Sequence, residues 1–324
     1  MNFIEKIILK IIKRKVANWF QLERSVAQMD NAIRSCEESP EKSWPNPSKI
    51  PGGGEVPFSL KNIPTVGLSL KSCINQGMQA IKTISKNPVQ DRKSISTEQL
   101  VDFEEFARMK GIGIIGYAKL KPSLIFKERA VLYDNAIILI MEMQQEAISK
   151  APSMETFKMV MSTYDTLGKI TNLLVDRLRD MGFQAQASHP LGGLVLYPPL
   201  AVDAGLGWFG KHGLLITPRF GPRQRIAAIF VNIDNLPIDV NKTNDHSWID
   251  EFCNHCGKCI KTCPANAILD QPIKHSSERK THIIREKCLP VFVNQEGCSI
   301  CIKECMFNQK DYYDLRKIQN RDGG

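Results

Sequence analysis

The chain opens on a helical repeat. Phe3, Ile4, Ile7, Ile8, Ile11 and Ile12 recur at helical spacing, and Lys6, Lys10, Lys13, Arg14 and Lys15 fill the positions between and after them. This predicts a basic amphipathic helix over residues 1–20, suited either to docking on its own domain or to lying on an anionic membrane surface. Periodicity then fails over residues 37–67, where Pro45, Pro47, Pro51, the Gly52-Gly53-Gly54 run, Pro57 and Pro64 predict an extended linker or a wrapping arm. Helical spacing returns over 96–110, with Leu100, Phe103, Phe106 and Ala107 on one face and Gly111 at the end. GIGIIGYA follows as a buried strand, and residues 136–141 read as another. A long helix is expected over 154–181, stopped by Gly182, with further strands at 194–196 and 226–233. Helices alternating with short apolar strands predict an α/β (α+β) domain.

Glycine and charge change the picture in the middle of the chain. The stretch PPLAVDAGLGWFGKHGLLITPRFGPRQR carries Gly205, Gly207, Gly210, Gly213 and Gly221 together with Lys211, His212, Arg219, Arg223 and Arg225. Glycines let backbone approach a ligand closely or adopt positive φ. Neither G-x-x-x-x-G-K-[ST] nor G-x-G-x-x-G is present, so a phosphate loop is a poor match. Composition supports a ligand-facing loop between a strand and a helix.

The strongest chemical signal is cysteine spacing. Eight of the ten cysteines lie between Cys253 and Cys305. Cys253, Cys256, Cys259 and Cys263 form C-x2-C-x2-C-x3-C with Pro264 directly after; Cys298, Cys301 and Cys305 repeat C-x2-C-x3-C, with Cys288 upstream. This is the bacterial two-cluster [4Fe–4S] signature, in which the fourth cysteine of a run serves the other cluster. One cluster is then expected on Cys253, Cys256, Cys259 and Cys305, and the second on Cys263, Cys288, Cys298 and Cys301. Pro264 suits the first turn of a helix. Zinc also uses CxxC pairs, but does not need the three-cysteine run or the Cys–Pro ending. A disulfide framework belongs to small secreted domains. Cys36 and Cys73 stand alone and read as incidental.

With AGLGWFGKHGLLITPRFGPR followed by FCNHCGKCIKTCPANAI and GCSICIKEC, the chain resembles a family of corrinoid-dependent iron–sulfur reductases, whose branches are epoxyqueuosine reductases and reductive dehalogenases. AGLGW-x-GK looks like the first branch and ITPRFGPRQR like the second. GIGIIGYAKL, NAIILIMEM and TYDTLGKITNLLVDRLRDMGFQA are similar to the family's nitroreductase-like corrinoid domain. The resemblance implies three regions: a basic helix and Pro/Gly-rich extension over 1–95, a corrinoid and substrate domain over 96–240, and a ferredoxin-like domain over 241–324. It also implies a base-off cobalamin, contacted by Gly205, Gly207, Trp208, Gly210, Lys211 and Arg223. The D-x-x-P aspartate of epoxyqueuosine reductases has no counterpart in HPLGGLVLYPPLAVD. The resemblance therefore points to Tyr164, the proton donor's place in dehalogenases, assisted by Lys211; Arg225 is a second cation able to stabilise the phenolate. Tyr197, Asp203 and His212 are the reserve donors.

Length and charge bound the rest. At 324 residues with net charge +9, the chain is long enough for two domains and basic enough to attract an acidic redox partner, nucleic acid or a membrane. No apolar run has transmembrane length, and no secretory or twin-arginine signal is present, so a cytoplasmic protein is expected. The expected partners are a small electron-donor protein of ferredoxin or flavodoxin type and an organic substrate. Two other readings stay open: a non-catalytic electron carrier or assembly factor, and a tRNA queuosine-modifying reductase.

Overall fold

The computed structural model describes residues 3–42, 63–90, 92–239, 243–277 and 279–322. The arm expected over 37–67 lies for the most part outside these residues. The chain begins with α1 (Phe3–Val26), the short strand β1 (Ile33–Arg34) and α2 (Ile63–Lys82). From Ile12 onward the apolar stripe of α1 is used internally. Val16 and Trp19 are buried with Val66, Leu70 and Ile74 of α2. Trp19 fills a slot over Gly77, where any side-chain carbon would collide with the indole ring. Glu23, only 2% exposed, holds Arg129 at 2.8 Å and Lys42 at 2.6 Å. Burial draws the Lys42 pKa down to about 8 against the opposing pull of Glu23. Trp19→Ala should therefore cost about 3–5 kcal/mol of stability, the usual range for emptying a buried aromatic site. A urea midpoint unchanged from wild type would mean that α1 is only loosely docked.

The middle of the chain builds one sheet. α3 (Thr97–Met109) starts at Ser96, whose Oγ accepts the Gln99 N–H while the Gln99 side chain caps the Ser96 N–H in return, a capping box. Then come β2 (Ile114–Lys119), β3 (Ala130–Val131), β4 (Asn135–Glu142), α4 (Gln145–Ser149), α5 (Met154–Asp180), β5 (Ala185–Ser188), α6 (Tyr197–Asp203), β6 (Trp208–Phe209), β7 (Leu215–Ile216) and β8 (Gln224–Val231). Strand order is β2-β4-β8-β5, and every pairing is antiparallel. The helix–strand alternation thus produces an antiparallel α+β layer here. β4 is buried along nearly its whole length because both faces are covered. Ile137, Leu139 and Met141 face the core shared with α3 and α5. Ala136, Ile138 and Ile140 face the core shared with α6 and β3. This two-sided burial explains the unbroken apolar run AIILIM over 136–141.

Two expectations change. Residues 194–196 are no strand: Val195 makes one isolated bridge to Ile125, and Leu196 precedes α6. The glycine-rich stretch is a helix, a hairpin of β6 and β7, and a turn into β8, with no helix after it.

The cysteine-rich end is a chain of short elements. α7 (Trp248–Cys256), α8 (Lys258–Lys261), β9 (Ile268–Lys274), β10 (Lys280–Ile283), α9 (Arg285–Asn294), α10 (Ile300–Lys303), α11 (Met306–Gln309) and α12 (Tyr312–Asp322) follow in order. Their main apolar cluster joins Ile249, Phe307, Tyr312 and Leu315 to Ile216 of β7, so this segment packs directly onto the hairpin. Pro264 lies in the turn between α8 and β9, not in a helix as expected.

Candidate functional site

Local backbone conformation gathers the cysteines. Gly257 ends α7 in the left-handed region, at φ 56°, and reverses the chain into α8. That turn brings Cys253, Cys256 and Cys259 to one small cavity, and Cys305, at the start of α11, completes its wall. Phe252, Phe307, Lys211 and His212 line the same space. A second set forms where Cys263 leaves α8, Cys288 rides on α9, and Cys298 and Cys301 flank the start of α10. Positive φ values at Glu296, Gly297, Cys298 and Ser299 make the tight loop that presents the last pair. These are the two sets that the crossed spacing predicts.

None of the eight is joined in a disulfide. Burial pushes Cys253 and Cys301 up to about 12 and Cys259 up to about 11, and holds Cys305 well above its ordinary value. Mutual repulsion adds to this, mainly within each set: Cys305 feels Cys253, Cys259 and Cys256, whereas Cys288 feels Cys298 and Cys263. Thiols so placed ionise only against a buried positive centre. Among the described residues no three His, Cys, Asp or Glu side chains converge tightly enough to hold one metal ion. Each set brings four cysteines to one cavity, the ligand number of an iron–sulfur cubane.

Backbone donors support the thiols. The Lys211 backbone bonds the Cys253 sulfur and the His212 backbone bonds Cys259, each opposing the effect of burial. Ala267 N–H donates to Cys263 Sγ at 3.4 Å. The glycine-rich stretch thus serves the first cysteine set. Its glycines have packing reasons of their own: a side chain at Gly207 would strike the Ile216 carbonyl, one at Gly210 the His212 ring, and one at Gly213 His282.

The second cysteine set shares a larger, mostly apolar cavity of about 360 Å3. Tyr164 of α5 and Arg225 of β8 stand in its wall with Leu70, Phe157, Met161 and Leu191. The Arg225 guanidinium lies 4.6 Å from the centroid of the Tyr164 ring, and its Nε is buried with no hydrogen-bond partner. No histidine lines this cavity.

Several expected site residues are elsewhere. Gly205, Gly207, Trp208, Gly210, Lys211 and Arg223 do not line the cavity that holds Tyr164. Lys211 is buried at the other cysteine set, where its Nζ donates to the Asp270 carbonyl, so it is not the cation beside Tyr164. Arg225 has that place. Arg223 is paired with Glu142 at 2.6 Å. Of the reserve donors, Tyr197 is committed to Ser188 and the His189 carbonyl, Asp203 pairs with Lys121, and His212 faces the first cysteine cavity. Burial lowers the His212 pKa to about 4, with His282 adding to the effect. A signal for Arg225 was present in the sequence: it is the one charge in the strand QRIAAIFV.

Comparison with known proteins agrees with this geometry. A 4Fe-4S binding domain model matches residues 246–269. The tetrachloroethene reductive dehalogenase of Desulfitobacterium hafniense is 31% identical over 221 residues, covering 63% of this chain and 38% of its own. The epoxyqueuosine reductase of Aliivibrio fischeri is 32% identical over 143 residues, covering 40% of this chain and 36% of its own. The chain thus spans under two fifths of the length of these curated relatives. A solved catabolic reductive dehalogenase in complex with 3-bromo-4-hydroxybenzoic acid superposes with a TM-score of 0.61 at 19% identity, over 76% of this chain and 38% of that one, which shows a common fold. Among the described residues no helix is long and apolar enough to cross a membrane.

Proposed function

We propose that this relative of reductive dehalogenases and epoxyqueuosine reductases is a cytoplasmic reductase carrying two [4Fe–4S] clusters and a base-off cobalamin. The observation that carries the reading is the shared cavity: one cysteine set opens onto the same apolar space as Tyr164 and Arg225. Cys253, Cys256, Cys259 and Cys305 would hold one cluster, and Cys263, Cys288, Cys298 and Cys301 the other. A lining without histidine among the described residues is in keeping with a corrinoid that takes no lower ligand from the protein. When bound, the clusters and corrinoid supply low-potential electrons and a cobalt centre for reductive cleavage of an organic substrate.

The chain's own residues do the rest. Apolar side chains from α2, α5 and the cysteine-rich end exclude water from the cavity. Tyr164 presents a phenol as proton donor at that wall, and the Arg225 guanidinium, 4.6 Å from its ring centroid, is the cation beside it. A small acidic electron carrier of ferredoxin or flavodoxin type is the proposed donor, in keeping with the net charge of +9. The dehalogenase-like reading is favoured over tRNA modification because the match to the dehalogenase extends over more of the chain.

Anaerobic reconstitution with iron, sulfide and cobalamin tests the reading. Protein freed of unbound cofactor should retain about eight iron atoms per chain and cobalt at a stoichiometric level. Full iron with no retained cobalt would turn the reading to a non-catalytic electron carrier.

A further inference from the structure

His212 is 1% exposed and lines the cavity of the first cysteine set. Its ring is fixed on two sides. The Leu214 N–H donates to Nδ1 at 3.2 Å, and the ring rests on Gly210, where any side-chain carbon would press on Cε1. Because Nδ1 accepts, a neutral imidazole must carry its proton on Nε2. Nε2 is buried and has no hydrogen-bond partner in the protein. A buried donor left without a partner is costly, so a site that keeps one has an acceptor to offer it. Among the acceptors this cavity offers are the sulfurs of Cys253, Cys256, Cys259 and Cys305, and whatever those thiolates ligate. The backbones of Lys211 and His212 already donate to two of them.

We propose that the His212 side chain donates a hydrogen bond from Nε2 to a sulfur of the cluster carried by Cys253, Cys256, Cys259 and Cys305, raising the reduction potential of that cluster alone. This rests on the two-cluster reading above. Its physical basis is that a donor to a cluster sulfur stabilises the more negative, reduced state. His212 is thus a positioning residue of the electron path: it touches no substrate and sets how readily the first centre accepts an electron.

Redox titration of the reconstituted full-length protein, followed by electron paramagnetic resonance, tests it. In His212→Phe, which keeps a flat ring and loses the donor, one midpoint should fall and the other stay. The oxidised-to-reduced ratio at fixed ambient potential should change about tenfold, which is about 59 mV for one electron. His212→Gln, which restores an N–H, should recover most of the shift. Two unchanged midpoints in His212→Phe overturn the proposal. Should that variant fail to load iron at this site, wild-type protein with ring-15N histidine decides: pulsed resonance on the reduced protein shows a nitrogen coupling if the bond exists, and its absence overturns the proposal. Failure of wild type to hold about eight iron atoms sinks the two-cluster reading itself, a distinct result.

Discussion

Replacing Cys305 with alanine should leave the protein folded and remove about half of its iron, from about eight atoms per chain to about four. The residue lies at the far end of the cysteine-rich segment, yet it lines the cavity of Cys253, Cys256 and Cys259. It precedes the short helix α11, whereas its neighbour Cys301, of the other set, lies in α10. The surviving cluster should therefore be the one on Cys263, Cys288, Cys298 and Cys301. Cys263→Ala should do the reverse, damaging the second cluster although Cys263 belongs by sequence to the first run. Iron analysis and resonance spectra of the two variants distinguish the cases. Loss of the same cluster in both variants would overturn the crossed assignment.

Tyr164→Phe should keep both clusters and bound cobalamin and reduce turnover by roughly two to four orders of magnitude, the scale of general acid catalysis. The substitution preserves the ring under the Arg225 guanidinium and so retains the cation–π contact at 4.6 Å. Only the hydroxyl is lost from the cavity wall. The assay is turnover of whichever organic substrate the wild-type protein proves to reduce, read as halide release if that substrate is an organohalide. Normal turnover would remove Tyr164 from the mechanism, and no reserve donor would inherit the role easily, since Tyr197 is buried in bonds to Ser188 and His189.

Some of this was legible in the chain. Cys253, Cys256 and Cys259, and likewise Cys298 and Cys301, group by their offsets along one tight turn, whereas Cys305, Cys263 and Cys288 join their sets only through the crossed two-run pattern. The strand β4 and the helix α5 announce themselves by long, regular apolar patterns. β5 does not: Ala-Gln-Ala-Ser alternates, but over four residues whose only apolar side chains are alanines, and its polar positions are buried too, Gln186 accepting the Leu132 N–H at 2.8 Å. The glycine-rich stretch misled more instructively. Glycines that admit a flat ligand and glycines that admit neighbouring protein atoms look alike in sequence, and here the neighbours are the Ile216 carbonyl, the His212 and His282 side chains and the Phe307 backbone. Lys211 was misplaced for the same reason, since nothing local says which cavity a loop lysine enters. Arg225 was harder to place beside Tyr164, because the contact depends on how strand β8 passes helix α5.

Gly221, just before β8, lies at φ 55° against the backbone of Phe307, two residues beyond Cys305, with no room for a side chain. Lys211 reaches Asp270 in the same direction. For protein engineering this means that the cysteine-rich segment is not a detachable cassette. A graft from a relative, or excision as a free-standing electron carrier, would lose the backbone donors to Cys253 and Cys259 and the seat under Phe307 unless residues 205–221 travel with it.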